Sequence, residues 1–362
     1  MLTPEMEQAA ARCRSQSCHT SSDFQWRKFI LIAATLGICK GHMPGMTRIL
    51  KGLGLLLALV AGGYFVVYAH RALAGKDLSA LLDNRVLVAT ACLTLLYTLS
   101  ILTTAVAWAR LLRAMHQPAG LARLLPILAT TQFGKYLPGN VAQHIGRIAL
   151  ARGMGVQMSP ALFSVAYELL LALVASAHIG ALTLLWAPPA ALLQLQITQY
   201  RVPLLIVVTV GALVALLLAP RIAIWLTRLR NPVREGVIAA PARLHLDPAT
   251  VGSCYALYAS SFVMIGYGLW LVAGSLTPAG VLMPGPVFFI GAFASSWILG
   301  FVAPGAPAGL GIREAMLSAW LSGVLPPVEV VLLVVALRIA TTLGDLVNFI
   351  WGSVIMFRQH DG

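Results

Sequence analysis

Negative charge is scarce in this sequence. Its 362 residues hold 12 Asp and Glu against 25 Lys and Arg, and charged residues of both signs make up only 10%. A soluble globular domain carries about 25%. With 59% hydrophobic residues, too little polar surface remains to coat a water-soluble fold, so that class is excluded. Strand-length segments of about ten residues with alternating polarity are missing too, which argues against an outer-membrane barrel. What remains is an all-α, polytopic membrane helical bundle, because backbone groups in lipid must be satisfied within helices.

Other absences narrow the function. The five cysteines, Cys13, Cys18, Cys39, Cys92 and Cys254, are odd in number and give no disulfide framework. Cys13, Cys18 and His19 lack a second ligand pair, so no metal is expected. No Ser-His-Asp, HExxH, Walker or paired-carboxylate pattern is visible, so no enzyme activity and no cofactor are expected. His144 and His178 read as hydrogen-bonded interior residues rather than catalysts. No basic-aromatic motif points to nucleic acid. The net charge of +13 is instead explained by Lys and Arg held in cytoplasmic loops, with attraction to anionic lipid headgroups using the rest.

Six apolar stretches follow a polar N-terminal extension, residues 1–45: 50–69, 87–109, 161–186, 202–226, 251–273 and 328–357. Each reaches roughly the 20 residues of a spanning helix. The extension reads as disordered or interfacial, or as an over-called start before Met43 or Met46. Residues 121–159 and 286–325 mix apolar residues with Pro, Gly and charge, and read as re-entrant broken hairpins. Counting each once gives about eight passes for a membrane domain over 46–362. Arg110, Arg113 and Arg123 after the second stretch, and Arg221, Arg228, Arg230, Arg234 and Arg243 after the fourth, place those loops inside. Repeat one, about 47–186, and repeat two, about 202–357, then each read span, span, broken hairpin, span. An odd number of full spans per half makes the repeat inverted, with the C-terminus cytoplasmic.

The two irregular regions share a motif. Pro138-Gly139 is followed by Arg147, and Pro304-Gly305 by Arg313, each arginine nine positions after its proline. Matching interruptions in two halves are the best sequence pointer to a transporter site. Broken helices leave N–H groups that favour anions, and an arginine fork matches phosphate oxygens in pairs. Lys135 and Tyr136 stand beside the first motif. Gly305, Gly309 and Gly311 allow tight turns and close helix contact. The duller alternative is that Arg313 pairs with Glu314 and merely fixes its turn.

Glu168 and Arg338 lie deep in apolar stretches, where an isolated charge costs at least about 2.5–3.5 kcal/mol. They are expected either to meet each other, locking the halves together, or to meet a charged substrate. Arg338, Thr341, Asp345 and Asn348 recur at helical spacing on one face. Such a stripe should line the interior, with Asp345 able to neutralise Arg338 within the helix.

The sequence from Pro304-Gly305 to Gly309-Leu310-Gly311-Ile312-Arg313-Glu314 resembles the lysylphosphatidylglycerol synthase transmembrane domain, a flippase-like family. Pro138, Gly139, Arg147, Glu168, Arg313, Glu314 and Arg338 occupy its motif positions over about residues 47–357. Ala306-Pro307-Ala308 before Gly309 is a departure from the pattern. The resemblance implies a bacterial inner-membrane protein that moves, or helps move, a polar lipid or lipid-linked precursor between leaflets. It equally allows a non-catalytic partner of a lipid-modifying enzyme or glycosyltransferase, for example in hopanoid or glycolipid synthesis. Some members carry an aminoacyl-transferase domain behind this region. The sequence ends at Gly362 without one, so lipid aminoacylation is not expected.

Overall fold

The computed structural model describes residues 63, 66–67, 70, 83–136, 141–189, 197–230, 246–277, 282–303 and 307–359. The N-terminal extension, most of the stretch 50–69, Pro138-Gly139 and Pro304-Gly305 lie outside the described residues. The described part is all-α. Five helices are long and apolar enough to cross a membrane: α1 (Asn84–Ala114), α4 (Met158–Trp186), α5 (Arg201–Arg230), α6 (Pro248–Leu276) and α9 (Pro327–Arg358). Each starts a little before its apolar stretch, because caps and first turns carry polar residues that hydropathy does not count. The Asp83 carboxylate accepts from the Arg85 N–H, and Asp247 caps α6 by accepting from the Thr250 N–H at 2.9 Å, with Pro248 in the first helical turn.

Each irregular region folds as two helices: α2 (Leu121–Thr131) and α3 (Ala142–Gly153), then α7 (Pro286–Val302) and α8 (Ile312–Leu321). None of the four is as long as the roughly 20 residues a span needs. A 3₁₀ turn, Gln132–Tyr136, extends α2, and another, Pro307–Gly309, leads towards α8. Around that second turn the backbone is left-handed at Ala308 (φ 49°), Gly309 (φ 69°) and Gly311 (φ 84°). Glycine adopts this freely, whereas Ala308 holds it at a cost.

Helix α1 packs along α6, α4 against α7, and α9 against α1 and α2. Small residues permit the close approaches: a side chain at Gly352 of α9 would run into Ala129 and Thr130 of α2, each 2.8 Å away. Trp108, Leu93, Phe289 and Phe293 fill the interior. Large apolar side chains such as Val207, Leu217, Trp225 and Ile350 face outward, as lipid contact requires. Helix α5 is exposed or half-buried along nearly all of its apolar stretch, with Ala212 buried; it packs on α4 and the short turn before it.

Candidate functional site

Among the described residues, most of the charges that hydropathy marks as anomalous collect in the interior as three ion pairs. Arg147 of α3 grips Glu168 of α4 with both terminal nitrogens, at 2.7–2.9 Å. Both side chains are buried, at 4% and 6% exposed. The guanidinium also lies over the Trp108 ring, 4.6 Å from its centre, while the Trp108 indole donates to Ser164 at 3.0 Å. A second pair joins Arg338 of α9 to Glu314 in the first turn of α8. The third joins Lys135 to Asp345 of α9 at 2.6 Å.

Asp345 is the hub of the third cluster. Besides Lys135 it accepts from Tyr97 of α1 at 2.8 Å and from Tyr136 at 2.6 Å. Lys135 also donates to the Tyr97 oxygen at 2.6 Å and lies over both tyrosine rings. At 1% exposed, the carboxylate is shielded by three donors from two elements, the 3₁₀ turn and α1. Thr341 and Asn348 on the same face of α9 are buried as well.

Arg313 stands apart. It lies one residue from Glu314, yet it makes no ion pair or hydrogen bond with any described residue. Its guanidinium sits over the Phe293 ring at 5.5 Å. Two glycines make room for its stem: a side chain at Gly309 would come within 2.6 Å of Arg313 Cδ, and one at Gly300 within 3.0 Å. Arg313 thereby reaches a cavity of about 200 Å³ that Lys135, His144, Arg147, Glu168 and Tyr258 also line. Arg338 and Glu314 do not line it; together with Arg313 they border a separate void of about 10 Å³.

The structure thus brings Arg147, Glu168, Lys135 and Arg313 to one cavity, whereas Tyr136, Asp345 and Asn348 do not line it. The pairings that the sequence left open as alternatives to substrate binding are not the ones that form. Glu168 meets Arg147 rather than Arg338, Glu314 meets Arg338 rather than Arg313, and Asp345 meets Lys135 rather than Arg338. Helix order in the bundle decides these choices, and apolar periodicity does not encode it. His144 lies 3.2 Å from Gln143 through its Nε2, and its buried Nδ1 has no partner. His178 bonds Tyr255 at 3.2 Å, away from the cavity.

Tyr97, Trp108, Tyr258 and Gly300 are site residues that sequence reasoning did not single out. A signal was present: Tyr97, Ser100 and Thr104 recur three and four apart on α1, and Tyr258 and Ser261 three apart on α6, and all five line the cavity.

Chemically, the cavity offers one guanidinium that no described residue pairs with or hydrogen-bonds, and two cations already neutralised. It also holds buried polar atoms without partners, namely Arg147 Nε, Tyr258 Oη and His144 Nδ1. The arrangement can hold an anion. A family model described as the lysylphosphatidylglycerol synthase TM region matches residues 31–347. No curated protein matches the chain.

Proposed function

Because the chain belongs to the family of the lysylphosphatidylglycerol synthase TM region, we propose that it translocates, or assists in translocating, an anionic polar lipid or lipid-linked precursor between leaflets of the bacterial inner membrane. The observation that carries this reading is Arg313, an uncompensated guanidinium facing an interior cavity. A half-buried charge without an ion-pair partner is costly inside a membrane bundle, and its retention is explained if an anion visits it. An acyl-chain lipid fits a bundle whose outer faces are apolar, with the headgroup in the cavity and the tails in the bilayer.

An inverted repeat with two re-entrant hairpins accounts for the packing. Pairing α1–α4 with α6–α9 makes α4 on α7 and α9 on α2 the same contact exchanged between halves. The bridges exchange likewise: Arg147 on α3 with Glu168 on α4, then Glu314 on α8 with Arg338 on α9. Sites at the junction of broken helices from two repeats are the usual arrangement for alternating access. The chain acts here as a carrier and not as an enzyme, with its C-terminus in the cytoplasm.

The test is Arg313→Ala in proteoliposomes. Headgroup translocation falls at least tenfold, while the detergent melting temperature stays level or rises, since no carboxylate loses a partner. Unchanged flux would overturn the reading. A second reading, a non-catalytic partner of a lipid-modifying enzyme or glycosyltransferase, is favoured by the uncovered apolar length of α5. Stoichiometric co-purification of such an enzyme, with no flux from the isolated protein, would decide for it.

A further inference from the structure

The interior charges can be counted. Among the described residues, Lys135, Arg147 and Arg338 are each committed to one carboxylate, Asp345, Glu168 and Glu314 respectively. Arg313 is left over, so the interior carries a single net positive charge. We infer that the cavity selects a headgroup of one net negative charge, a single phosphodiester, over zwitterionic, cationic and multiply charged headgroups. The inference rests on the lipid-translocation reading and specifies its substrate.

Three features converge on a phosphodiester. It has two non-bridging oxygens sharing one charge, which a guanidinium fork meets in parallel. A phosphomonoester or pyrophosphate brings more charge than Arg313 neutralises, and the excess would sit unpaired in a low-dielectric interior. A headgroup ammonium finds no free carboxylate lining the cavity among the described residues, because Glu168 already holds Arg147, and it would share the cavity with Arg313. The cavity, at about 200 Å³, is smaller than the roughly 300–1,000 Å³ of pockets for drug-sized ligands. It suits a headgroup and not a whole lipid.

The remainder of the headgroup is uncharged and hydrogen-bonding. Tyr258 is 4% exposed, its hydroxyl has no partner, and it lines the same cavity as Arg313. Arg147 Nε and His144 Nδ1 are likewise buried and unpartnered there. Buried polar atoms need partners, and substrate hydroxyls, which both donate and accept, would satisfy a donor and an acceptor together.

The experiment uses the full chain in proteoliposomes with tail-labelled fluorescent lipids, read by dithionite quenching against protein-free vesicles. The probes are phosphatidylglycerol, phosphatidylcholine, phosphatidic acid and lysylphosphatidylglycerol. Phosphatidylglycerol moves at least tenfold faster than each of the others. In Glu168→Gln, which frees Arg147, the preference shifts towards phosphatidic acid; if that variant fails to fold, the wild-type series still decides. Any of the other three lipids moving as fast as phosphatidylglycerol overturns the inference and leaves the translocation reading standing. No protein-dependent movement of any anionic lipid overturns both. Uptake of radiolabelled glycerophosphoglycerol without lipid movement overturns the lipid source, making the free diester the ligand.

Discussion

Lys135 and Asp345 are 210 positions apart in the chain, yet their charged groups lie 2.6–2.8 Å from one another in the interior. Their contact ties the 3₁₀ turn after α2 to the middle of α9, and Tyr97 adds α1 to the same knot.

Breaking that knot from one side strands a charge. Asp345→Asn leaves the half-buried Lys135 without its counter-charge and is expected to destabilise the protein by up to about 3 kcal/mol, seen as a lower melting temperature in detergent. The double variant Lys135→Met with Asp345→Leu removes both charges and should recover most of the loss. A single variant as stable as the unaltered protein would show that the pair is not a tether.

Arg147→Lys keeps the charge and loses the fork. A lysine cannot bond both Glu168 oxygens in parallel or stack flat on Trp108. The expected loss is about 1–3 kcal/mol, combining a charge-assisted hydrogen bond with a desolvated cation–π contact. Chemical denaturation with tryptophan fluorescence would measure it; full stability would mean the fork contributes nothing.

Gly309→Ala should disable the site through its neighbour. The added methyl would sit 2.6 Å from Arg313 Cδ, at a backbone φ of 69°, so the side chain must move and the backbone is strained by about 1–2 kcal/mol. Lipid flux should fall about as far as in Arg313→Ala. Gly252→Ala on α6 meets nothing within 4 Å and should leave flux intact while stabilising its helix by about 0.5–1 kcal/mol. Equal flux in all three variants would dismiss the glycine slot.

At the start of α6, the Thr250 side chain and backbone N–H hold the Asp247 carboxyl below the usual carboxylate range. A depressed folded value means the cap contributes fully above the ordinary pKa, about 3.9, and is lost as pH falls through the lower value. Melting temperature measured from pH 6 down to pH 3 should therefore drop more steeply in the unaltered protein than in Asp247→Asn, which cannot titrate. Parallel curves would exclude the cap as a source of acid sensitivity.

Much of this architecture was legible in the sequence, for a physical reason. Lipid demands long apolar helices, so the stretches at 87–109, 161–186, 202–226, 251–273 and 328–357 announce themselves. The two irregular regions also read correctly as interrupted. Partner choice did not, because Glu168 has Arg147 and Arg338 as equally plausible cations until α3 is known to lie against α4. Tyr97 was overlooked for a different reason: its spacing with Ser100 and Thr104 marks a polar face of α1, but only its hydroxyl seated on a carboxylate makes it part of the site.

Helix α9 holds Arg338 and Asp345 seven residues apart, roughly 10 Å along its axis, and each grips a different short helical segment. A stiff rod clamped at two points cannot swivel to free one clamp and keep the other. Whatever force turns α9 therefore unlatches both grips in a single stroke, as a camshaft lifts two valves.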